Sequence, residues 1–141
     1  MLANSKIPPE LAVVLILTFG AFSLGMAEFT TIWLLPEMAN SLDTTTAKIG
    51  PAASFYALGV VFGTPILALF GTTMPRQKLL TYLLLWCFAG NLATSFVSSY
   101  EQLKWVRFFS GVPHGVFFCF SGRIVALFLP SSQLGTAIGR L

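Results

Sequence analysis

Leu11 to Leu35 reads LAVVLILTFGAFSLGMAEFTTIWLL. This stretch decides the fold. Its only charged residue is Glu28, and about 20 apolar residues suffice for a helix to cross a bilayer. Pro8-Pro9 ahead of Glu10 suits a helix start, and Pro36 is expected to end the helix just after Leu35. Glu28 then lies about 10 Å inside that end, too deep for a short side chain to reach water easily through lipid. A carboxylate at such depth faces other helices, as a proton site or an ion-pair partner. The alternative is a helix-end acid that reaches the interface. Gly25-Met26-Ala27 resembles a signal-peptide cleavage site. The apolar run is long for such a peptide and the leader carries only Lys6, so cleavage is not expected.

The whole chain shares this character. Of its 141 residues 55% are hydrophobic and 9% charged, with a mean hydropathy of +0.80. A water-soluble domain carries about 25% charged residues and could not cover its surface with so few. The expected fold is all-α: a polytopic transmembrane helix bundle. The net charge of +3 is scattered and forms no basic run, which argues against nucleic acid as a partner and for membrane orientation signals. An enzyme is not expected either. The chain has one histidine, no paired intramembrane acids, no phosphate loop and no metal-ligand cluster, so neither a metal nor another cofactor is expected. Cys87 and Cys119 both lie in apolar runs without a Cys or His neighbour at ligand spacing, and read as helix-packing residues.

Residues 1–10 form a polar leader, and the apolar runs place helices at about 11–35, 49–71, 79–98 and 103–129, with the start of a fifth from 134. The connection before the second helix offers Asp43-Thr44-Thr45-Thr46 as N-cap oxygens. In the second helix Gly59 and Gly63 are four apart, the small-residue spacing that lets helices approach closely. Pro51 is tolerated in its first turn, and Pro65 is expected to kink it. Ser54 and Tyr56 read as polar points that hydrogen-bond within the bundle. Asn91, in the middle of the third helix, must find partners there, either as structural glue or along a polar path. Lys6, Arg76, Lys78 and Arg140 fall on one side of the membrane. Lys48 and Lys104 fall on the other, each accompanied by acids, and this bias puts the N-terminus in the cytoplasm with Arg76 and Lys78 in a cytoplasmic turn.

The fourth helix carries Arg107-Phe108-Phe109-Ser110-Gly111-Val112-Pro113-His114-Gly115. Arg107 and His114 are seven apart and share a face, with Ser110 and Gly111 between them. Pro113 has no N–H, so the carbonyl of Phe109 is left free to accept a bond from elsewhere. Gly111 and Gly115 remove bulk beside it. The stretch describes a kinked, sterically open stripe that lines a protein interior or a watery cavity; the other reading is a packing seam with a snorkelling arginine. Arg107 lies roughly 6 Å inside the outer end of its helix, a depth like that of Glu28. The matched depth suggests that the two interact, directly or through water. Arg123, near the opposite end, reads as a snorkelling or headgroup-binding residue.

Ala27-Glu28-Phe29, the segment Leu34 to Ala39, the run Ser54 to Pro65 and the fourth-helix string together resemble the major facilitator superfamily. Within it they are most similar to bacterial drug:proton antiporters of the arabinose-transport and sugar-efflux type. The resemblance covers about Leu11 to Gly139. It implies the amino-terminal part of a twelve-helix transporter of the bacterial inner membrane, with two halves and alternating access. It also implies that the first and fourth helices line the central cavity, and that Arg107 stands where the family has an arginine associated with proton coupling. Two departures stand out. Thr72 replaces the usual aspartate, and Pro75 a glycine, in the turn that keeps Arg76 and Lys78, so a charge latch is not expected there. The chain also ends after about four and a quarter helices, which reads as a fragment that would need the missing helices, or another copy, to transport.

The functional expectation is therefore proton-coupled efflux of a small solute such as a sugar or drug. The lipid bilayer, the solute and the proton are its partners. Glu28, Arg107, His114, Ser110 and Asn91 are the candidate coupling and cavity residues, with Gly59, Gly63, Gly111, Pro113 and Gly115 shaping the helices. Two alternatives stand beside it: a self-associating four-helix exporter of the small multidrug kind, which uses an acid in its first helix, and a membrane remnant without transport.

Overall fold

The computed structural model describes residues 8–128 and, beyond them, Gly135 and Gly139. The described residues form helices and turns only: α1 (Pro9–Trp33), α2 (Leu35–Ser41), α3 (Thr46–Ile49), α4 (Pro51–Gly71), α5 (Arg76–Thr94), α6 (Tyr100–Gly111) and α7 (His114–Phe128). The start of a fifth span expected from residue 134, and most of the leader, lie outside the described residues.

Among the described residues, two stretches are long and apolar enough to cross a membrane on their own, Leu11–Trp33 and Thr46–Gly71. The second joins α3 to α4 through Gly50, whose backbone is itself helical. Thr45 caps this pair, its hydroxyl accepting from the Lys48 N–H at 3.3 Å, because a β-region residue with a side-chain oxygen satisfies an orphan donor of the first turn. α4 continues through Pro65 to Gly71. At its start α6 is capped by Ser99, which accepts from Gln102 N. The Gln102 side chain reaches back to the Ser98 N–H at 2.8 Å, a displaced form of the capping box.

Three helices differ from the sequence reading. α5 takes in Arg76 and Lys78, expected in the turn before it, and ends at Thr94 rather than near residue 98. α1 stops at Trp33, and Pro36 does not terminate a helix: it sits in the first turn of α2, where a missing N–H has no consequence. The fourth passage is divided into α6 and α7 at Val112–Pro113. Pro113 removes the N–H that would have bonded the Phe109 carbonyl. Trp86 of α5 supplies the substitute, its Nε1–H donating to Phe109 O at 3.0 Å. The break is thus tied to the neighbouring helix rather than left open.

Packing is uneven. The main core joins Leu17, Ala21 and Leu24 of α1 to Leu83 and Cys87 of α5 and to Val116, Phe117 and Val125 of α7. A second, smaller core holds Ala39, Ile49, Ala52 and Leu103 at the other end. α4 and α6 are the most closely apposed pair, and along their glycine face backbone meets backbone. A Cβ on Gly59 would run into the Phe108 carbonyl, and one on Gly111 into the Tyr56 carbonyl. At Gly63 it would stand 2.6 Å from Val112 Cα. Only hydrogen fits where backbones touch in this way. Large apolar side chains such as Phe19, Trp33, Leu69 and Phe96 face outward, the arrangement that suits lipid rather than water.

Two outcomes follow for the isolated protein in detergent. Gly59→Leu should lower stability by about 1–3 kcal/mol or prevent folding, because backbone cannot yield as a side-chain tip can. Gly25→Ala, where nothing lies within 4 Å, should leave the thermal midpoint unchanged or slightly raised. Equal effects of the two would refute the seam. Trp86→Phe should cost about 1 kcal/mol, and less in a Pro113→Ala background, where the Phe109 carbonyl regains an intrahelical donor. Strict additivity in that double-mutant cycle would show that the indole bond is not linked to the proline.

Candidate functional site

The close approach of α4 to the fourth passage positions the polar residues of the bundle. Tyr56, Gly59 and Gly63 share one face of α4, at spacings of three and seven. With the glycines against α6 and Val112, Tyr56 is driven in beside Arg107 and His114, and it is 3% exposed. The ring of Tyr56 lies under the Arg107 guanidinium, whose Cζ is 4.3 Å from the ring centroid. The Tyr56 hydroxyl is 2.7 Å from His114 Nδ1. On the far side of the imidazole, His114 Nε2 is 3.8 Å from Glu28 Oε2. That distance is too long for a hydrogen bond but within ion-pair range when the imidazole is protonated. Phe118 covers the histidine ring, with centroids 5.1 Å apart.

One continuous string therefore runs Glu28–His114–Tyr56–Arg107, using α1, α7, α4 and α6 in turn. Of the two forms of Glu28–Arg107 interaction expected from sequence, the direct one is not formed. No direct ion pair joins Glu28 to Arg107 among the described residues; the acid faces His114 and the cation stacks on Tyr56. The physical reason is the phenol wedged between the two basic groups by the glycine seam. Helical depth alone could not reveal a side chain arriving from a third helix.

Arg107 is the largest fully buried side chain among the described residues, 1% exposed. Its Nε and Nη1 have no hydrogen-bond partner. Cation–π contact with a desolvated tyrosine ring stabilises by about 2 kcal/mol. Placing a guanidinium at the centre of a membrane helix costs about 2.5–3.5 kcal/mol on insertion scales and more in other treatments.

The other expected site residues lie elsewhere. The Ser110 hydroxyl donates to Val106 O at 2.7 Å and is pressed against Gly90 of α5, so it belongs to the α5–α6 contact. The Asn91 side-chain amide donates to Cys87 O at 2.8 Å. It lines a groove of about 380 Å³ between α1 and α5, with Thr30, Thr94 and Ser95 beside it. Gly115 abuts the Thr64 hydroxyl, and Pro113 is buried at the break between α6 and α7. Arg76 and Lys78 are exposed at the start of α5, where Arg76 borders an apolar groove of about 350 Å³ shared by α1, α5 and α7. Among the described residues no group of three His, Cys, Asp or Glu could hold a metal ion. Tyr56 hydrogen-bonds within the bundle as the sequence reading expects, but its place between His114 and Arg107 was not read from the sequence. The signal was present in its spacing from Gly59 and Gly63, since a phenol on a helix's closest-packing face must meet whatever that face meets.

Comparison with known proteins gives this bundle a family. The sequence pattern of the major facilitator superfamily matches residues 17–141. The chain is 36% identical over 126 residues to the putative transporter AraJ of Escherichia coli, covering 89% of this chain and 32% of that protein. It is 37% identical over 135 residues to the uncharacterized MFS-type transporter YtbD of Bacillus subtilis, covering 96% of this chain and 33% of that one. A probable sugar efflux transporter of Helicobacter pylori is 26% identical over 132 residues, 91% of this chain and 33% of its own length. No solved structure matches. The chain spans about a third of the length of these relatives. Its all-helical membrane bundle is a partial one of their kind, and the chain belongs to the major facilitator superfamily.

Proposed function

We propose that this chain forms part of a proton-coupled exporter of a small solute, and that the Glu28–His114–Tyr56–Arg107 string carries the proton. The observation that supports this most is the string itself: an acid, an imidazole and a buried cation joined within an otherwise apolar bundle. Ionisable groups inside a membrane bundle are costly and mark proton or ion pathways. A carboxylate facing an imidazole can hold or release one proton while Arg107 keeps its charge. The net charge of the cluster therefore switches as it titrates, and a solute competing for the same space would feel that switch.

The relatives named for sugar efflux point to a small polar solute. The exposed basic residues Arg76 and Lys78 at the start of α5 support an orientation with the N-terminus in the cytoplasm of a bacterial inner membrane. The remaining cavity wall would come from helices outside this stretch or from another copy of it. The role is transport rather than catalysis.

Export should be measured in proteoliposomes holding the protein under an imposed pH gradient. Glu28→Gln and Arg107→Ala should each abolish proton-driven export while Glu28→Gln retains solute self-exchange across the membrane. Proton-driven export that survives Glu28→Gln unchanged would remove the string from the coupling mechanism.

A further inference from the structure

We propose that Tyr56 is a positioning residue for the proton step: it holds His114 in a single tautomer, Nε2–H toward Glu28, through the same phenol that stacks on Arg107. The inference rests on the proton-coupled reading above and deepens it.

The geometry carries the argument. A neutral imidazole has one donor and one acceptor nitrogen. His114 Nε2 faces a carboxylate at 3.8 Å, and an ionised carboxylate can only accept. The favourable neutral form therefore has its hydrogen on Nε2. Nδ1 is then the acceptor, and the Tyr56 hydroxyl, 2.7 Å away, is its donor. Both contacts select the same tautomer. Glu28 from α1 and Arg107 from α6 bring charged groups to this pair, and the buried thiol of Cys87 lies on α5. None of them supplies another hydrogen-bond donor to Nδ1, so the phenol is the one hydrogen bond among the described residues that selects the tautomer, and Glu28 at 3.8 Å adds a weaker electrostatic preference in the same sense.

Protonation of His114 reverses this hydrogen bond. Imidazolium donates from both nitrogens, so Nδ1–H then donates to the Tyr56 oxygen and the phenol hydrogen turns away. No heavy atom needs to move. The proton's arrival is registered on the residue whose ring carries the Arg107 guanidinium, which links the acid end of the string to its cation end.

The test uses nitrogen-15 histidine labelling of the protein in lipid vesicles, read by solid-state nuclear magnetic resonance. His114 is the only histidine in the 141 residues, and a His114→Gln spectrum identifies its signals. Where the imidazole is neutral, the wild type should show the Nε2–H tautomer alone. Tyr56→Phe keeps the ring under Arg107 but removes the donor, and should show both tautomers. An unchanged single tautomer in Tyr56→Phe, or an Nδ1–H form in the wild type, would overturn the inference. In vesicles under a pH gradient, Tyr56→Phe should slow proton-driven export roughly tenfold, the scale of one lost hydrogen bond, while solute self-exchange persists. Equal losses in both would reduce Tyr56 to scaffold and also overturn it. A wild type without proton-driven export even when the helices that complete its cavity are present would instead defeat the coupled-transport reading, and the tautomer comparison would still decide the part played by Tyr56.

Discussion

The contact of bare backbone on backbone between α4 and the fourth passage is the constraint on which the rest depends. Gly59 meets the Phe108 carbonyl, Gly111 meets the Tyr56 carbonyl, and Gly63 meets Val112. Inside a bilayer the hydrophobic effect gives helices little reason to associate, so close van der Waals approach has to do so. That approach also fixes rotation. Once the glycine face of α4 is turned to α6, Tyr56 has no direction open except toward Arg107 and His114.

The break in the fourth passage serves the same end. An unbroken helix would carry Arg107 and His114 on one straight face. Dividing it at Val112–Pro113 allows α6 to follow α4 while α7 contributes to the apolar core with α1 and α5. The free carbonyl this creates is satisfied by the Trp86 indole, so the irregular backbone is supported by a neighbour rather than by lipid, as a membrane interior requires. His114, the first residue of α7, is thereby brought toward Glu28 of α1.

Much of this was legible in the sequence. The membrane-spanning character of the first stretch, the small-residue spacing of the second and the proline-freed carbonyl of the fourth all follow from residue type and spacing. The polar string was only half legible. Glu28, Arg107 and His114 each announce themselves as costly groups in apolar surroundings, because a charge needs a reason to be there. Tyr56 does not, because a tyrosine in a membrane helix is ordinary and its meaning lies in what it touches. Asn91 announces itself as clearly as His114, yet it bonds its own helix and lines the groove between α1 and α5, apart from the string.

The sequence by itself determined that this is a helical membrane bundle with an acid in its first helix and a cation, an imidazole and a break in its fourth passage. Those properties belong to single helices, where period, length and the cost of burying a charge can be read along one dimension. Only the tertiary structure decided the partners: Glu28 with His114, Arg107 with Tyr56, Phe109 with Trp86. Partner choice depends on how helices are rotated against one another, and that rotation is set by close packing at three glycines rather than by the polar groups it brings together.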